Sequence, residues 1–281
     1  MKIIEGINEL KSFVSSAKKT EKTVGLVPTM GYLHEGHISL VNASVHDNDI
    51  TIMSIFVNPI QFGPNEDFER YPRDMEGDSK KAEAAGVDVL FIPAVREMYP
   101  EHYSTYADVT GITDKLCGKS RPGHFKGVCT VVLKLFNIVG PDRAYFGQKD
   151  AQQAAVIKRM AKDLNLDIRI ITCPIVREKD GLALSSRNVY LNGDERKAAL
   201  VLSRSLKEAS VMAANGEKEC DVLRKYLTDR INSEKLADID YVEVVDAETL
   251  EFSEKLKGRM LFAVAVKFGK TRLIDNVIVE V

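Results

Sequence analysis

Short apolar runs alternate with helical patterns along about the first 170 residues of the chain. The apolar runs predict five buried strands, at residues 24–29, 50–57, 87–92, 143–146 and 168–172. The patterns between them predict four helices, at residues 36–46, 74–85, 127–139 and 150–164. Because apolar strands separated by helices pair in parallel and are covered on both faces, the pattern predicts a doubly wound α/β sheet.

The pattern changes after about residue 175. Two helices are predicted there, at residues 192–215 and 221–231, and Asn192 is a suitable N-cap for the first. Three strand-like runs follow, at residues 241–245, 260–268 and 273–281. Gly269 favours a hairpin between the last two runs. We therefore predict two domains, an α/β ligand-binding domain at 1–175 and a smaller α+β domain at 176–281.

The carboxyl ends of the predicted parallel strands are the places where a ligand is expected. Such sheets bind ligands in the loops beyond these ends, near the point where the strand order reverses. The loops of first interest therefore follow Thr29, Val57, Phe146 and Thr172.

Composition and charge limit the classes of function. The chain has 39 Lys and Arg residues against 41 Asp and Glu, which argues against a dedicated nucleic-acid binder but allows a small anionic ligand. No run approaches the ~18 apolar residues of a membrane-spanning helix. Glu5 and Glu9 stand where a signal peptide would be apolar. The four cysteines are widely spaced, so we expect free thiols and a cytoplasmic protein.

The most informative stretch is PTMGYLHEGH, where the first predicted strand leads into the first predicted helix. His34 and His37 share one face of the first helical turn, and Gly36 lets a ligand approach the backbone. The helix N-terminus adds N–H groups and a partial positive charge, which suit a phosphate. Two alternatives stay open. The histidines could cap or pack the helix, or they could bind a metal, although zinc would need further ligands.

Two further stretches carry groups that suit a nucleotide. In FGQKD, Lys149 can reach a phosphate and Asp150 can accept hydrogen bonds from a ribose, with Gln153 on the same helical face. In LSSRN, two hydroxyl groups and Arg187 can surround phosphate oxygens. Each stretch is equally typical of an ordinary helix start.

Asn58 and Gln61 are candidates for binding a small substrate, because amide side chains donate and accept hydrogen bonds. The stretch GKSRPGHF at 118–125 has some features of a P-loop, but six residues separate Gly111 from Gly118 where that motif needs four. We expect a substrate-side loop there instead. The chain also lacks GxGxxG and GxSxG, which argues against a dinucleotide-binding unit and an α/β-hydrolase.

Five motifs together resemble the pantoate–β-alanine ligase family in order and spacing: VPTMGYLHEGHISLV, IFVNPIQFGPNEDFERYPRD, RPGHFKGV, AYFGQKDAQQ and LSSRN. Each motif alone is weak or moderate, whereas five in register are specific. The resemblance covers residues 1–281. It places the chain in the wider HxGH nucleotidyl-transfer superfamily, which is related to class I aminoacyl-tRNA synthetases. It implies a Rossmann-like N-terminal domain, a smaller C-terminal lid domain and a homodimer.

The resemblance also implies a two-step reaction with ATP, Mg²⁺, pantoate and β-alanine. Pantoate is adenylated with release of pyrophosphate, and the amine of β-alanine then attacks the acyl-adenylate to give pantothenate and AMP. Two other functions remain possible at this point. One is a simple nucleotidyltransferase that stops at an adenylylated product, and the other is a sensor that binds ATP without releasing pyrophosphate.

The family's roles carry over to the matching positions. The resemblance implies that His37, His34 and Lys149 are catalytic, with His37 as the proton donor. It implies an ATP site formed by Met30, Gly31, Tyr32, Leu33, His34, Glu35, Gly36, His37, Gly147, Gln148, Lys149, Asp150, Val176, Leu184, Ser185, Ser186 and Arg187. It assigns no ligands to the metal.

The resemblance implies that Gln61, Gln153 and Asn58 bind pantoate and that Gln61 also binds β-alanine. Two positions depart from the family's usual pattern. Leu184 stands where many relatives have Met, which is similar in size and polarity. Gln148 stands where some relatives have Glu, which removes a charge beside Lys149.

Overall fold

The computed structural model describes residues 1–64 and 66–281. In this part of the chain, strands β1 to β9 lie at Lys2–Ile4, Val24–Thr29, Ile50–Ile55, Val89–Phe91, Arg143–Gly147, Arg169–Cys173, Ala237–Asp246, Arg259–Phe268 and Thr271–Glu280. Helices α1 to α10 lie at Ile7–Lys18, Glu35–Asp47, Met75–Ala84, Val95–Met98, Cys117–Ser120, His124–Val139, Ala151–Asp163, Gly193–Ala198, Leu200–Ala214 and Cys220–Asn232. Short 3-10 turns lie at Pro59–Gln61, Gln148–Asp150 and Ser186–Tyr190.

The first six strands form one parallel sheet in the order β1-β4-β3-β2-β5-β6. The central strands β2 and β3 pair over their whole length, from Val24 opposite Ile50 to Thr29 opposite Ile55. Every residue of β3 is buried, as expected for a parallel strand covered on both faces. The predicted doubly wound α/β sheet is confirmed, and the ends of its five predicted strands shift by two residues at most.

The strand order reverses beside β2. The chain adds β3 and β4 on one side of β2, and β5 and β6 on the other. Ligands of such sheets bind at this reversal, beyond the carboxyl ends of the strands. β2 ends at Thr29 and α2 begins at Glu35, so the stretch with His34 and His37 lies where the fold favours ligand binding.

A second sheet contains the antiparallel strands β7, β8 and β9 in that order. Gly269 and Lys270 form the turn between β8 and β9, with Phe268 opposite Thr271, so the predicted hairpin is confirmed. Helices α9 and α10 share one apolar core with this sheet, which includes Leu206, Leu223, Leu227, Phe262 and Val264.

The prediction of a single helix at 192–215 is wrong, because α8 ends at Ala198 and α9 begins at Leu200. Ala199 keeps helical dihedral angles, φ −59° and ψ −19°. However, the Leu202 N–H donates to the Ala199 carbonyl, three residues back rather than four, so the helix tightens there. Its start is as predicted, since the side chain of Asn192 accepts two backbone N–H groups of the first turn.

The first two elements were not predicted from the sequence. β1 has three residues, which is too short for an alternating pattern to show, and it pairs with β4. α1 does carry a signal, because Leu10, Val14 and Ala17 are buried at helical spacing. The four-residue helices α4 and α5 are too short for a periodic pattern.

The chain divides into two compact units. Unit 1 comprises residues 1–111, 121–147 and 156–174 and contains the parallel sheet. Unit 2 comprises residues 112–120, 148–155 and 175–281 and contains the antiparallel sheet. The division into domains 1–175 and 176–281 stays a prediction. The segments 112–120 and 148–155 group with unit 2 although both precede residue 175.

The four cysteines are buried and free, as expected from their spacing. Burial raises the pKa of Cys129 to about 12, which keeps its thiol protonated. None of the helices that the structure describes combines the length and apolar character needed to cross a membrane.

Candidate active site

The two histidines of the HxGH stretch are built into the start of α2. His34 is the N-cap residue, and its Nδ1 accepts the backbone N–H of Gly36 at 3.1 Å. His37 lies at the third helical position, and its Nδ1 accepts the backbone N–H of His34 at 3.3 Å. The ring centroids are 4.1 Å apart. The histidines therefore do cap the helix, and each ring does so through its Nδ1.

Capping also fixes the tautomer of both neutral rings. An imidazole that accepts a hydrogen bond on Nδ1 carries its proton on Nε2. His34 and His37 are therefore Nε2–H donors beside the first turn of α2, where the helix dipole favours an anion. Across residues 1–64 and 66–281, no three His, Cys, Asp or Glu side chains are grouped to hold a metal ion.

The segment that connects β2 with α2 is held by a buried carboxylate. Gly31 and Tyr32 both have left-handed backbone conformations, with φ of 84° and 51°. Asp78 of α3 is 1% exposed and accepts the N–H groups of Tyr32 at 2.7 Å and Leu33 at 2.6 Å. Lys81 donates from Nζ to the Leu33 carbonyl at 2.7 Å. Helix α3 thus fixes the path of the chain into the histidines.

Asn58 and Gln61 form a hydrogen-bonded pair of amides beyond the carboxyl end of β3. Asn58 Nδ2 donates to Gln61 Oε1 at 3.0 Å and to the Gly127 carbonyl at 3.1 Å. Tyr99 donates from its hydroxyl to Asn58 Oδ1 at 2.8 Å. Gln61 Nε2 lies 3.3 Å from Met30 Sδ. The structure therefore brings three predicted site residues of unit 1 together, and adds Tyr99 to them.

The predicted substrate-side loop at 118–125 supplies two residues that hold the Gln61 backbone. His124 Nδ1 lies 2.8 Å from the Gln61 carbonyl, and Arg121 Nη1 lies 3.0 Å from His124 Nε2. Because Arg only donates, His124 accepts on Nε2 and donates from Nδ1 to Gln61. Arg121 also forms two hydrogen bonds with Glu66. Burial opposes ionisation of Glu66, but the hydrogen bonds and charge of Arg121 outweigh it and lower the Glu66 pKa.

In unit 2, the predicted phosphate-binding turn at 148–150 is held by the last strand, β9. Asn276 is 3% exposed and donates from Nδ2 to the carbonyls of Gln148 and Lys149, both at 3.0 Å. Gln148 Nε2 donates to Asn276 Oδ1 at 2.9 Å. Lys149 Nζ lies 3.4 Å from Asp150 Oδ2, and both side chains are partly exposed. The backbone of the turn is therefore fixed, and the charged side chains remain accessible.

The segment from Val176 to Arg187 folds back on itself. The N–H of Leu184 donates to the Val176 carbonyl at 3.0 Å. Ser185 caps the 3-10 turn that follows it, and its Oγ accepts the Arg187 N–H at 3.3 Å. The interpretation of LSSRN as a capped helix start is therefore correct for Ser185. The phosphate-binding role of the stretch stays a prediction.

Two consecutive residues of β9 hold the two segments of unit 2 that are predicted to bind a nucleotide. Arg177, which lies beside Val176, forms two hydrogen bonds of 2.6 and 2.9 Å with Asp275. The next residue, Asn276, holds the 148–150 turn. Neither contact of β9 can be predicted from the sequence, because both residues lie more than 90 positions from their partners.

The two glutamines at the start of α7 differ in their surroundings. Gln153, predicted to bind pantoate, is half-buried. Gln152 is buried, accepts the Cys117 N–H at 2.9 Å, and donates to the carbonyls of Ile112 at 3.0 Å and Lys115 at 2.7 Å. Gln152 therefore braces the 112–117 segment, a role that the sequence did not reveal.

The predicted site residues fall into two groups, one in each unit. Unit 1 contains the stretch from Met30 to His37, together with Asn58, Gln61 and Gly147. Unit 2 contains Gln148, Lys149, Asp150, Gln153, Val176, Leu184, Ser185, Ser186 and Arg187. Their ligand-binding roles stay predictions.

Known proteins that resemble the chain agree in their names. The pantothenate synthetase of Acetivibrio thermocellus is 66% identical over 281 residues, which is 100% of both chains. That of Caldicellulosiruptor saccharolyticus is 62% identical, again over 100% of both chains.

Solved structures extend the likeness to the whole fold. Pantothenate synthetase from Thermus thermophilus matches with a TM-score of 0.94 and 44% identity over 99% of each chain. Pantoate–β-alanine ligase from Francisella tularensis, solved with β-γ ATP and β-alanine, matches with a TM-score of 0.82 and 38% identity, over 99% of this chain and 97% of that one. The family model described as pantoate–β-alanine ligase matches residues 2–278. The chain therefore belongs to the pantoate–β-alanine ligase family.

Proposed function

We propose that this protein condenses pantoate with β-alanine to pantothenate, and that ATP drives the reaction through a pantoyl-adenylate. The observation that carries the proposal is the pair of Nε2–H donors that His34 and His37 present at the start of α2. They occur in a chain that matches the family model over residues 2–278. A relative solved with β-γ ATP and β-alanine supports the choice of ligands.

In the first step, a carboxylate oxygen of pantoate attacks the α-phosphorus of ATP. The bond to the bridging oxygen breaks, and pyrophosphate leaves with the electron pair. Negative charge grows on the phosphate oxygens, where the Nε2–H groups of His34 and His37 donate hydrogen bonds. His37 is assigned the part of proton donor by the family resemblance. Because capping has already oriented both rings, they need little rearrangement during the reaction.

The family resemblance also assigns Lys149 and Arg187 to ATP binding. Lys149 contributes a positive charge, and Arg187 can form charge-assisted hydrogen bonds with phosphate oxygens. The remaining assignments follow the family resemblance and comprise Met30, Gly31, Tyr32, Leu33, Glu35, Gly36, Gly147, Gln148, Asp150, Val176, Leu184, Ser185 and Ser186.

In the second step, the unprotonated amine of β-alanine attacks the acyl carbon of the adenylate, and AMP leaves. Gln61 is proposed to hold both acid substrates, with Gln153 and Asn58 on pantoate. Such a step depends mainly on bringing the amine and the acyl carbon together in the correct orientation. A closing C-terminal domain would protect the adenylate from water.

Mg²⁺ is proposed to enter with ATP, as part of the substrate. The described residues contain no cluster of three ligands for a metal ion. Asp78, the buried carboxylate beside the histidine turn, already accepts a backbone N–H on each oxygen. Mg²⁺ commonly keeps water and phosphate ligands, so the proposal needs no protein cage.

Product analysis separates this function from its alternatives. The protein is incubated with ATP, Mg²⁺ and pantoate, with or without β-alanine. The proposal requires AMP and pyrophosphate in quantity only with β-alanine, and pantoate-dependent exchange of pyrophosphate into ATP without it. ADP and phosphate would indicate an acyl-phosphate route, and ATP binding without turnover would favour a sensor. A simple nucleotidyltransferase would be favoured if an adenylylated product accumulated both with and without β-alanine.

Two variants test the assigned roles. His37→Ala should strongly depress adenylation while the protein stays folded, and near-normal pyrophosphate release would contradict the role of His37. Gln61→Ala should weaken pantoate capture more than ATP binding. The proposal also includes a homodimer, which is carried over from the resemblance, and a cytoplasmic location, which is expected from the widely spaced cysteines. Sedimentation equilibrium would test the dimer.

A further inference from the structure

The amide network around Asn58 contains one contact whose polarity is unambiguous. The Gly127 carbonyl, 3.1 Å from the Asn58 side chain, can only accept a hydrogen bond. Nδ2 of Asn58 therefore faces Gly127, and Oδ1 faces the opposite side. This contact is fixed by packing, because a methyl group on residue 127 would overlap the Ile60 carbonyl and lie 2.6 Å from Gln61 Cα.

The orientation of Asn58 determines the roles of its two other partners. Oδ1 lies 2.8 Å from the Tyr99 hydroxyl, so Tyr99 must donate to it. Burial, with smaller contributions from Tyr103 and Tyr106, raises the pKa of Tyr99 well above its usual value, which keeps the hydroxyl protonated. The second N–H of Asn58 donates to Gln61 Oε1 at 3.0 Å.

The NH₂ group of Gln61 is consequently the donor that this residue offers to a substrate, since Asn58 already occupies one acceptor site of its amide oxygen. Its carbonyl oxygen is engaged by Asn58, and its Nε2 lies 3.3 Å from Met30 Sδ, a weak acceptor that a substrate oxygen can outcompete. The main-chain carbonyl of Gln61 is held by His124 at 2.8 Å. The residue is therefore fixed at both its backbone and its amide.

We infer that Tyr99 is a positioning residue for the acid substrate. Together with the Gly127 carbonyl, it holds Asn58 in the orientation that makes Gln61 a hydrogen-bond donor. This inference rests on the proposed function. It narrows the chemistry at Gln61 to a substrate group that accepts, such as a carboxylate or hydroxyl oxygen. A group that can only donate would face the NH₂ group of Gln61 unpaired.

The test compares Tyr99→Phe with Tyr103→Phe. Tyr103 is a matched control because its ring contacts Tyr99 at 5.0 Å, whereas the hydrogen bond to Asn58 comes from Tyr99. Tyr99→Phe should raise the KM for pantoate about tenfold and change the KM for ATP less than about twofold. Tyr103→Phe should change neither. Circular dichroism and melting temperature check that each variant is folded.

A double mutant shows whether Tyr99 acts through Gln61. In the Gln61→Ala background, Tyr99→Phe should change the pantoate KM by less than about twofold, because the group that it orients is absent. A full tenfold effect in that background would overturn the inference. So would a normal pantoate KM in Tyr99→Phe, or an equal rise in the KM values of pantoate and ATP.

A second variant covers the case in which Tyr99→Phe does not fold. Asn58→Asp keeps an acceptor towards Tyr99 and removes both N–H donors, so it should also raise the pantoate KM selectively, and an unchanged KM would overturn the inference. Product formation by the wild type distinguishes a failure of the proposed function from a failure of the role of Tyr99. No pantothenate from the wild type contradicts the proposed function, whereas a normal wild type with an unaffected Tyr99→Phe contradicts only the role of Tyr99.

Discussion

The turns that precede His34 in unit 1 and follow Gly147 in unit 2 are held in chemically opposite ways. In the first turn, backbone N–H groups of Tyr32 and Leu33 point at a buried carboxylate, Asp78. In the second, backbone carbonyls of Gln148 and Lys149 point at a buried amide, that of Asn276. Each polar side chain matches the backbone groups that its turn leaves unpaired.

The difference shows why Asp and Asn, although nearly equal in shape, are not interchangeable at these positions. An ionised carboxylate only accepts hydrogen bonds, whereas an amide also donates two. Asp78 is 1% exposed and Asn276 is 3% exposed, so water cannot replace a lost partner. The two reciprocal exchanges, each of one atom, should therefore both be harmful, for opposite reasons.

The largest effect is expected from Asn276→Asp. The exchange places a carboxylate oxygen against two backbone carbonyls, next to the buried carboxylate of Asp275. A buried charge without a partner costs about 3–5 kcal/mol, and we expect a loss of that size in the free energy of unfolding, measured with urea. Asn215→Asp, at an exposed helix end, is the control and should change stability by less than about 0.5 kcal/mol. Equal stability of the two variants would show that Asn276 does not hold the turn as a donor.

The reciprocal exchange, Asp78→Asn, should cost less. The new amide can still accept one backbone N–H, but its NH₂ group faces the other, which leaves one buried donor unpaired. We expect a loss of about 1–3 kcal/mol in the free energy of unfolding, with a raised KM for ATP because His34 follows the loosened turn directly.

Asp74→Asn is the matched control on the same helix. Asp74 caps α3 by accepting the Gly77 N–H at 3.0 Å, and Asn is an equally good cap, so this exchange should be almost neutral. If Asp74→Asn and Asp78→Asn behaved alike, the effect would come from α3 as a whole rather than from the turn.

The same comparison shows what the sequence could and could not reveal. Five of the six strands of the parallel sheet were predictable, because their apolar runs end close to Gly or Pro residues, whereas β1 is too short to show a pattern. The break at Ala199 was not, since the surrounding residues are good helix formers with no Gly or Pro among them. The position of the His34 turn between a strand and a helix was also predictable from the sequence, because a strand, a glycine and a helix start follow one another there.

The side chains that hold the turns could not be read locally. Asp78 lies 46 positions from Tyr32, and Asn276 lies 128 positions from Gln148. No periodic pattern spans such distances, so these contacts follow only from the fold. The tautomers of His34 and His37 likewise depend on which backbone N–H groups reach each ring.

A smaller effect is expected from Gln148→Glu, which tests only the hydrogen bond between the side chains of Gln148 and Asn276. Gln148 Nε2 donates to Asn276 Oδ1, and a carboxylate there would set an acceptor against an acceptor. We expect a loss of about 1 kcal/mol, because Gln148 is only half-buried and water can separate the two oxygens. Gln148→Leu, which removes the donor without adding a charge, is the comparison variant. If Gln148→Glu were as stable as the wild type, Asn276 would have to turn its amide and release both carbonyls.

The smallest effect is expected at two charged pairs, one in each unit. Arg121 holds Glu66 in unit 1, and Arg272 holds Asp240 in unit 2, where Ser120 also donates to Asp240. Burial opposes ionisation of both carboxyls, but these hydrogen bonds and charges outweigh it, so both pKa values lie below their usual range. A lowered pKa means that the folded state gains stability from the ionised form.

This gain should be complete above the usual carboxyl pKa of about 4 and should disappear as the pH falls through the lowered value. Glu66→Gln should therefore cost about 1 kcal/mol or less near about pH 6, since Glu66 is 23% exposed and solvent screens the pair. As the pH falls through the lowered pKa, the wild-type carboxyl takes up a proton and comes to resemble the neutral amide, so the difference in unfolding free energy should shrink towards zero. Asp240→Asn should follow the same course in unit 2. A difference that grew on acidification would mean that burial, rather than the arginine, dominates at that carboxyl.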